Sequence, residues 1–363
     1  MEEKKIALSV IDTERKYSVP DYEEVQYGSN NIVSYGHDND MPLLLRNCYR
    51  GSATLKSVID GMVNYILGEN IEISDEIATF KEQVNKTGMS MRQFIASIAL
   101  DYLTYGGFAF QIINNKLGMP VEFYPLDFAR CRTNEYGTKI FYSKKQWGKY
   151  STKAKEFERF DSTKNQDTSI FYYKGDFTKN VYPLPMWYGS LYDVLTEIEC
   201  SKYSLNSVAN GFSAKYIVNL PNAANLTKEQ KEEIEKKMKE KFCGTDTESN
   251  FMLFFANGDK AGITVSKVDS DDATERFIAI KNNCRTNIYT AMRATPNLFG
   301  LPTETTGFSS QEYSDAFKLF QKTVIAPIQT IFENVMDKVH GKKNTIKIAP
   351  FLITFDNNTN SNE

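Results

Sequence analysis

His37, Asp38 and Asp40 are the closest thing in this sequence to a metal-ligand cluster, set in Tyr35-Gly-His-Asp-Asn-Asp-Met-Pro42. Imidazole and carboxylate ligands could hold a divalent cation, but such a site draws further ligands from elsewhere in the chain. Only two histidines occur, His37 and His340, so the stretch reads better as an Asx-rich turn before a helix opening at Pro42 and running to about Tyr49. Nucleotide hydrolysis needs a G-x-x-x-x-G-K-(S/T) phosphate cradle, two-metal phosphoryl chemistry needs clustered carboxylates, and acyl transfer needs a G-x-S-x-G elbow or a Cys–His couple. Neither the phosphate cradle nor the G-x-S-x-G elbow stands in the chain, its carboxylates fall in scattered pairs, and Cys–His catalysis has only two histidines to draw on. Asp271 and Asp272 are better explained as helix caps. Cys48, Cys131, Cys200, Cys243 and Cys284 stand singly, without C-x-x-C spacing, which suits a reducing compartment. The expectation is a protein with no catalytic residue, no metal and no cofactor.

Composition narrows the class further. A chain of 363 residues, 41% of them hydrophobic, can bury two core-bearing lobes. Its net charge of −3 lacks the basic excess of a dedicated DNA-gripping protein. No charged-then-apolar leader opens the chain and no run approaches the roughly 18 apolar residues of a membrane span, so a soluble protein without membrane contact is expected.

The elements that position the rest centre on 271–340. Asp272 and Glu275 form a capping box, followed by an apolar stripe of Phe277, Ile280, Cys284, Ile288 and Met292. Thr295-Pro296 ends that helix near Ala294. Ser309 to Glu312 opens a second helix of about thirty residues, roughly 45 Å, broken only at Pro327, which should kink it. Residues 1–30 read as an extended arm. Helices are expected over 52–67 and 90–105, the latter capped by Ser90 and stopped by Gly106-Gly107. Strand, turn and strand follow through Asp127, then short β runs with a polar, lysine-rich excursion at 148–167. A helix over 184–212 with a Leu191, Leu195, Ile198, Tyr203 face leads to the strand Ala214 to Pro221.

The stretch 227–242, TKEQKEEIEKKMKEKF, is the most charged piece of the chain. Thr227 and Gln230 form a capping box, and Glu232/Lys236, Glu233/Lys237 and Glu235/Lys239 are i,i+4 pairs. Its apolar stripe is only Ile234, Met238 and Phe242, so most of its faces stay wet. Residues 248–270 hold two strand-like runs about an Asn257-Gly258 turn, the signature of a hairpin. After His340 come a strand-like run and a polar tail.

In order and spacing these pieces resemble the tailed-phage portal proteins of the HK97-like or SPP1-type class. The resemblance rests on Pro296 to Gly300, Phe308 to Glu312 and Thr323 to Pro327. Tyr35 to Pro42, Tyr105-Gly106 through Leu126-Asp127, Tyr188 to Leu191 and Asn210 to Phe212 also fit. It implies an α+β portal fold: an arm (1–30), a wing (31–225), a first stem helix (226–244), a small β clip (245–270) and a second stem helix (271–300). A tunnel loop (301–308), a long kinked helix (309–340) and a C-terminal strand with a polar tail (341–363) complete it. Many relatives continue into a helical crown; here a minimal crown is expected, built from the second half of the 309–340 helix or nearly absent.

The implied function is mechanical. Wedge-shaped subunits, about twelve by resemblance, close into a ring at one capsid vertex, through which double-stranded DNA is packaged and ejected. The partners implied are the chain itself, double-stranded DNA, the major capsid protein, a transient terminase and head–tail adaptor proteins. The implied location is the virion, after assembly in the host cytoplasm. Thr303, Thr305, Thr306, Gly307 and Phe308 are the expected DNA-facing residues of the tunnel loop. Lys236, Lys237, Glu240 and Lys241 belong to the stem wall, and Asn257, Gly258, Asp259 and Lys260 to the adaptor-facing clip. A channel of mixed charge makes weak, replaceable contacts with DNA, which favours sliding over holding. The rival reading is a virion adaptor or scaffold that forms no channel and binds only other structural proteins.

Overall fold

Capping and periodicity place the helices. The computed structural model describes residues 22–27, 31–148, 153–175, 178–209, 216–221, 251–256, 264–267, 273–300 and 310–351, with 227, 229, 230, 232–234, 236 and 237. Helices α1 (Met41–Gly51), α2 (Ala53–Leu67) and α3 (Met91–Tyr105) stand where the sequence predicts them. Ser90 accepts from the Gln93 amide while the Gln93 side chain takes the Ser90 amide, a full capping box, and Gly106 ends α3 at φ 83. A side chain at Gly106 would meet the Leu184 carbonyl at 2.4 Å, so the glycine is required by space as well as by φ.

Contacts divide the chain into two compact units. The first comprises Met1–Asn47, Val63–Pro185 and Ile325–Leu352. Its centre is the antiparallel sheet β5-β4-β9, with β4 (Gly107–Asn114) between β5 (Pro120–Leu126) and β9 (Thr168–Lys174). Phe94 of α3 meets Phe110 of β4 edge-on at 5.1 Å, and Phe110 stacks on Phe171 of β9 at 5.2 Å. A later helix of the same unit, Ala326–His340, buries Ile328, Phe332, Val335, Met336 and Val339, and Phe332 lies 5.4 Å from Phe108. The aromatic residues of this region therefore serve the core.

Two short strands go beyond the sequence-based expectation. β3 (Asn70–Ile73) pairs with the C-terminal strand Ile346–Ala349, each element being only four residues long. β6 (Cys131–Thr133), β7 (Lys139–Tyr142) and β8 (Lys155–Glu158) form a further antiparallel sheet. β8 lies inside the lysine-rich excursion, so that loop is partly a strand, with one broadly exposed face. Arg132 of β6 is fully buried: it bonds the Asn39 side chain and the Asn39, Ala129 and Cys131 carbonyls. Its guanidinium also lies 5.3 Å from the Trp147 ring.

The second unit comprises Cys48–Met62, Met186–Val324 and Ile353–Glu363. It contains α4 (Leu191–Ala209), β10 (Tyr216–Pro221), β11 (Phe251–Ala256), β12 (Thr264–Lys267), α5 (Ala273–Ala291) and α6 (Ser310–Phe320). Within it α4 packs on α5, and β10 pairs with β11 and β12.

The expected hairpin about Asn257-Gly258 is corrected by the strand order β11-β10-β12. β11 runs parallel to β10, Tyr216 opposite Phe251, and β12 runs antiparallel to it, Tyr216 opposite Lys267.

After α6 the helix continues through a π turn, Gln321–Ile325, into α7 (Ala326–His340). Pro327 has no N–H for the Thr323 carbonyl, and its ring crowds that carbonyl, so the wider turn forms just ahead of it. The expected kink is thus realised as a π turn.

Candidate functional site

The segment Pro296–Phe299, a 3-10 turn closed by Gly300 at φ 78, joins α5 to residues 301–309. Thr295 has extended backbone, as the following proline requires, and Leu298 is buried. Phe299 lies 6.1 Å from Tyr289 of α5 and 5.8 Å from Phe320 of α6, edge-on in both cases. It also seats on the bare backbone of Gly61 in α2, where an added Cβ would lie 2.7 Å from the ring. One aromatic side chain therefore pins the start of the loop to the helices on either side of it. Thr303, Thr305, Thr306, Gly307 and Phe308 themselves lie outside the described residues.

In the charged stretch, Glu229, Gln230, Glu232–Ile234, Lys236 and Lys237 are helical. Gln230 donates its amide to Thr227 Oγ1 at 3.3 Å and returns its side-chain oxygen to the Thr227 amide at 3.0 Å, the predicted capping box. Lys237 pairs with Glu233 at 2.8 Å, and its ammonium holds the Glu233 carboxyl below its ordinary range. Lys236 and Lys237 are exposed and Ile234 half-buried, which fits a helix with one narrow apolar stripe. Glu240, Lys241, Asn257, Gly258, Asp259 and Lys260 lie outside the described residues.

α4 and α5 form an antiparallel pair. Tyr203 and Phe277 meet at 5.1 Å near one end, and Asn287 donates to Asp193 at 2.9 Å near the other. The expected α5 stripe is buried only in its second half: Cys284, Ile288 and Met292 are covered, while Ile280 is exposed. On α4, Leu191 and Leu195 are buried and Tyr203 is exposed. The cysteines of this pair, Cys200 and Cys284, are free, and burial pushes the Cys284 thiol up to about 11, so neither has a nucleophile's environment.

Sequence reasoning missed Glu197. It is buried on α4 and accepts the hydroxyl of Ser52, the hydroxyl of Thr54 at 2.6 Å and the Thr54 amide at 3.4 Å. The carboxylate thereby faces the first turn of α2, where the helix dipole favours negative charge. It shares its helix face with Asp193, Ser201 and Ser204, so nothing in the sequence marks it for burial.

The metal-like cluster resolves into a turn. Asn39 caps the Tyr35 amide through its side chain at 3.0 Å and has φ 60, with Gly36 at φ 87. His37 turns to Glu23 at 2.9 Å. Among the described residues no group of three or more His, Cys, Asp or Glu side chains could hold a metal ion. Nor, among them, is any helix long and apolar enough to cross a membrane.

Residues 66–352 match the family model described as "Phage portal protein". The "Probable portal protein" of Haemophilus phage HP1 (strain HP1c1) is 24% identical over 273 residues, 75% of this chain and 74% of that one. In fold the chain is similar to a chain in the virion of the native gene transfer agent particle, with TM-score 0.58 and 14% identity over 91% of this chain and 86% of that one. The same TM-score and identity relate it to a chain in the neck of that particle, computed with C12 symmetry, over 93% and 88%. An HK97 family phage portal protein from Corynebacterium diphtheriae has TM-score 0.53 at 11% identity, over 84% and 95%. With the family model spanning most of its length and the portal fold built from the elements above, this chain belongs to the phage portal protein family.

Proposed function

We propose that copies of this chain close into a ring at one vertex of a capsid, and that double-stranded DNA passes through the central hole during packaging and ejection. The observation that carries this reading is the family match over 66–352. Ring closure draws support from the similar chain in a gene transfer agent neck computed with C12 symmetry, which favours about twelve subunits. Repetition of one surface against a different surface of the next copy closes when the rotation closes.

Within that ring, residues 301–308 are the tunnel loop, and Thr303, Thr305, Thr306, Gly307 and Phe308 face DNA. The anchoring of Phe299 supports this: a loop pinned at its base can project while its tip varies. The helix 226–244 lines the channel with Lys236, Lys237, Glu240 and Lys241, and Asn257 to Lys260 meet a head–tail adaptor. The ring is seated among major capsid proteins, receives terminase transiently, belongs to the virion after assembly in the host cytoplasm, and acts without catalytic turnover.

Image reconstruction of the purified full-length chain tests this. A particle with a central opening wide enough for duplex DNA, lined by 226–244 and 301–308, is expected. A small closed particle at every concentration, in solution and in virions, would instead support the adaptor reading. Purified rings are expected to hydrolyse neither ATP nor DNA, and turnover by either assay would contradict the mechanical role.

A further inference from the structure

A cavity of about 50 Å³ lies between the start of α1 and the chain around β6, and its lining includes Asn39, Asp40, Arg46, Arg130, Arg132 and Trp147. At ~30 Å³ per water it has room for more than one, and it is far too small for a nucleotide. The Trp147 indole closes one wall, held by its N–H to the Arg130 carbonyl at 2.8 Å.

Asp40 immediately precedes α1, where an aspartate normally turns a side-chain oxygen to an amide of the first turn. Here its Oδ1 is instead buried and, among the described residues, has no hydrogen-bond partner. Arg132 is the complementary case. A guanidinium has five N–H donors, and this one makes four bonds, to the Asn39 side chain and to the Ala129, Cys131 and Asn39 carbonyls. One N–H is left over. All four acceptors are uncharged, and among the described residues no carboxylate pairs with this fully buried cation.

The charge of the lining says what could join the two. Arg46 and Arg130 share the single carboxylate of Asp127, so with Arg132 three cations stand against two carboxylates, Asp127 and Asp40. Burial beside Asp127 pushes the nearby Asp101 carboxyl up toward its neutral form. A group bridging Asp40 to Arg132 must donate to one and accept from the other, and the positive balance favours an anion. We infer that the cavity binds hydrogen phosphate, its P–OH donating to Asp40 and its other oxygens accepting from Arg132, with Arg46 and Arg130 supplying charge. Sulfate and a phosphodiester carry no such proton at neutral pH, and a phosphate monoester loses its own above about pH 6. Asp40 therefore selects the free ion over nucleic acid and over phosphorylated side chains.

Calorimetric titration of the full-length chain at pH 8, in a buffer free of phosphate, tests this. Inorganic phosphate is expected to bind at least about tenfold more tightly than sulfate at equal ionic strength, because sulfate would set a bare oxygen against the Asp40 carboxylate. Asp40→Asn, whose amide can donate, should keep the thermal melt and bring the two affinities within about threefold of each other. Phosphoserine, a monoester without the proton at this pH, should fail to compete with phosphate. A wild-type chain that binds neither anion would leave water as the bridge and overturn the inference. Equal binding of phosphate and sulfate, equal competition by phosphoserine, or a full preference for phosphate retained in Asp40→Asn would overturn it too. The wild-type comparison decides the matter even where the variant fails to fold, and it is independent of ring assembly.

Discussion

Glu197 and His340 are buried ionisable groups in opposite predicaments. The Glu197 carboxylate has three donors around it, from Ser52 and Thr54. Glu197→Ala leaves those hydroxyls without their acceptor and removes negative charge from the start of α2. The expected loss is about 2–3 kcal/mol, read as a lower urea midpoint, with Glu197→Gln losing less because one amide oxygen still accepts. His340 has no such help. Its Nε2 is buried without a partner, and the Phe80 and Phe123 rings lie 5.1 and 5.5 Å away. Burial, aided by Lys342 and opposed by Asp337, lowers its pKa to about 4. The unfolded chain therefore binds a proton between about pH 6.5 and 4 that the folded chain refuses, so His340 lowers stability as pH falls through that window, by about 3 kcal/mol in full. Burial acts the other way on Asp101, whose carboxyl is pushed up beside Asp127, so that it weakens the fold as pH rises out of the ordinary carboxylate range. Asp337, held low by bonds from Thr345 and Asn344 despite its burial, matters only below that range. The difference between wild type and His340→Leu isolates the histidine: the urea midpoint at pH 7 minus that at pH 4.5 should be smaller in the variant, and an unchanged difference would refute the assignment.

Among the elements, the seat of Phe299 on α2 gives a case where propensity and packing disagree. Alanine at an exposed position inside a helix would stabilise relative to glycine by about 1 kcal/mol. At Gly61 its Cβ would lie 2.7 Å from the Phe299 ring, and relief of that overlap costs about 1–3 kcal/mol. Gly61→Ala should therefore lower the melting temperature, and it should cost less in a Phe299→Leu background, where the obstructing ring is gone; equal costs in both would show that the two residues do not meet. This contact explains what was legible in the sequence and what was not. Thr227–Gln230, Ser90–Gln93 and the stops at Gly106 and Pro296 are decided within a few residues, so the sequence displays them. Gly61 against Phe299, and Glu197 against Ser52, join positions far apart in the chain, and neither member of either pair announces the other. β3 has only four residues and finds its partner near the far end of the chain. The Asn257-Gly258 dipeptide argued for a hairpin, but parallel pairing of β11 with β10 took precedence, a tertiary choice that local turn chemistry does not encode. The likeness to the portal family was legible because it resides in the order of motifs, whereas the placement of 301–309 depends on what surrounds it.

For the whole molecule the decisive quantity is the charge that the proposed channel presents to DNA. The chain carries 43 basic and 46 acidic residues, and in the helix around Lys237 each lysine has an acid within reach of a turn. Wild-type rings should therefore bind duplex DNA weakly and with a shallow dependence on salt, since few phosphates lose their counterions. Reversing one of those acids is a sensitive test, because a ring multiplies every substitution by its subunit number. Glu233→Lys removes an ion pair of Lys237 and places another ammonium on the same exposed helix face. If that helix lines the channel, the variant rings should bind duplex DNA more tightly, with the slope of log K against log salt steeper by about 0.9 for each additional phosphate neutralised. Packaging should slow at the same time, because a wall that holds DNA resists its passage. Unchanged affinity and slope in properly assembled rings would place 226–244 away from the DNA and leave the 301–308 loop as the channel's remaining contact.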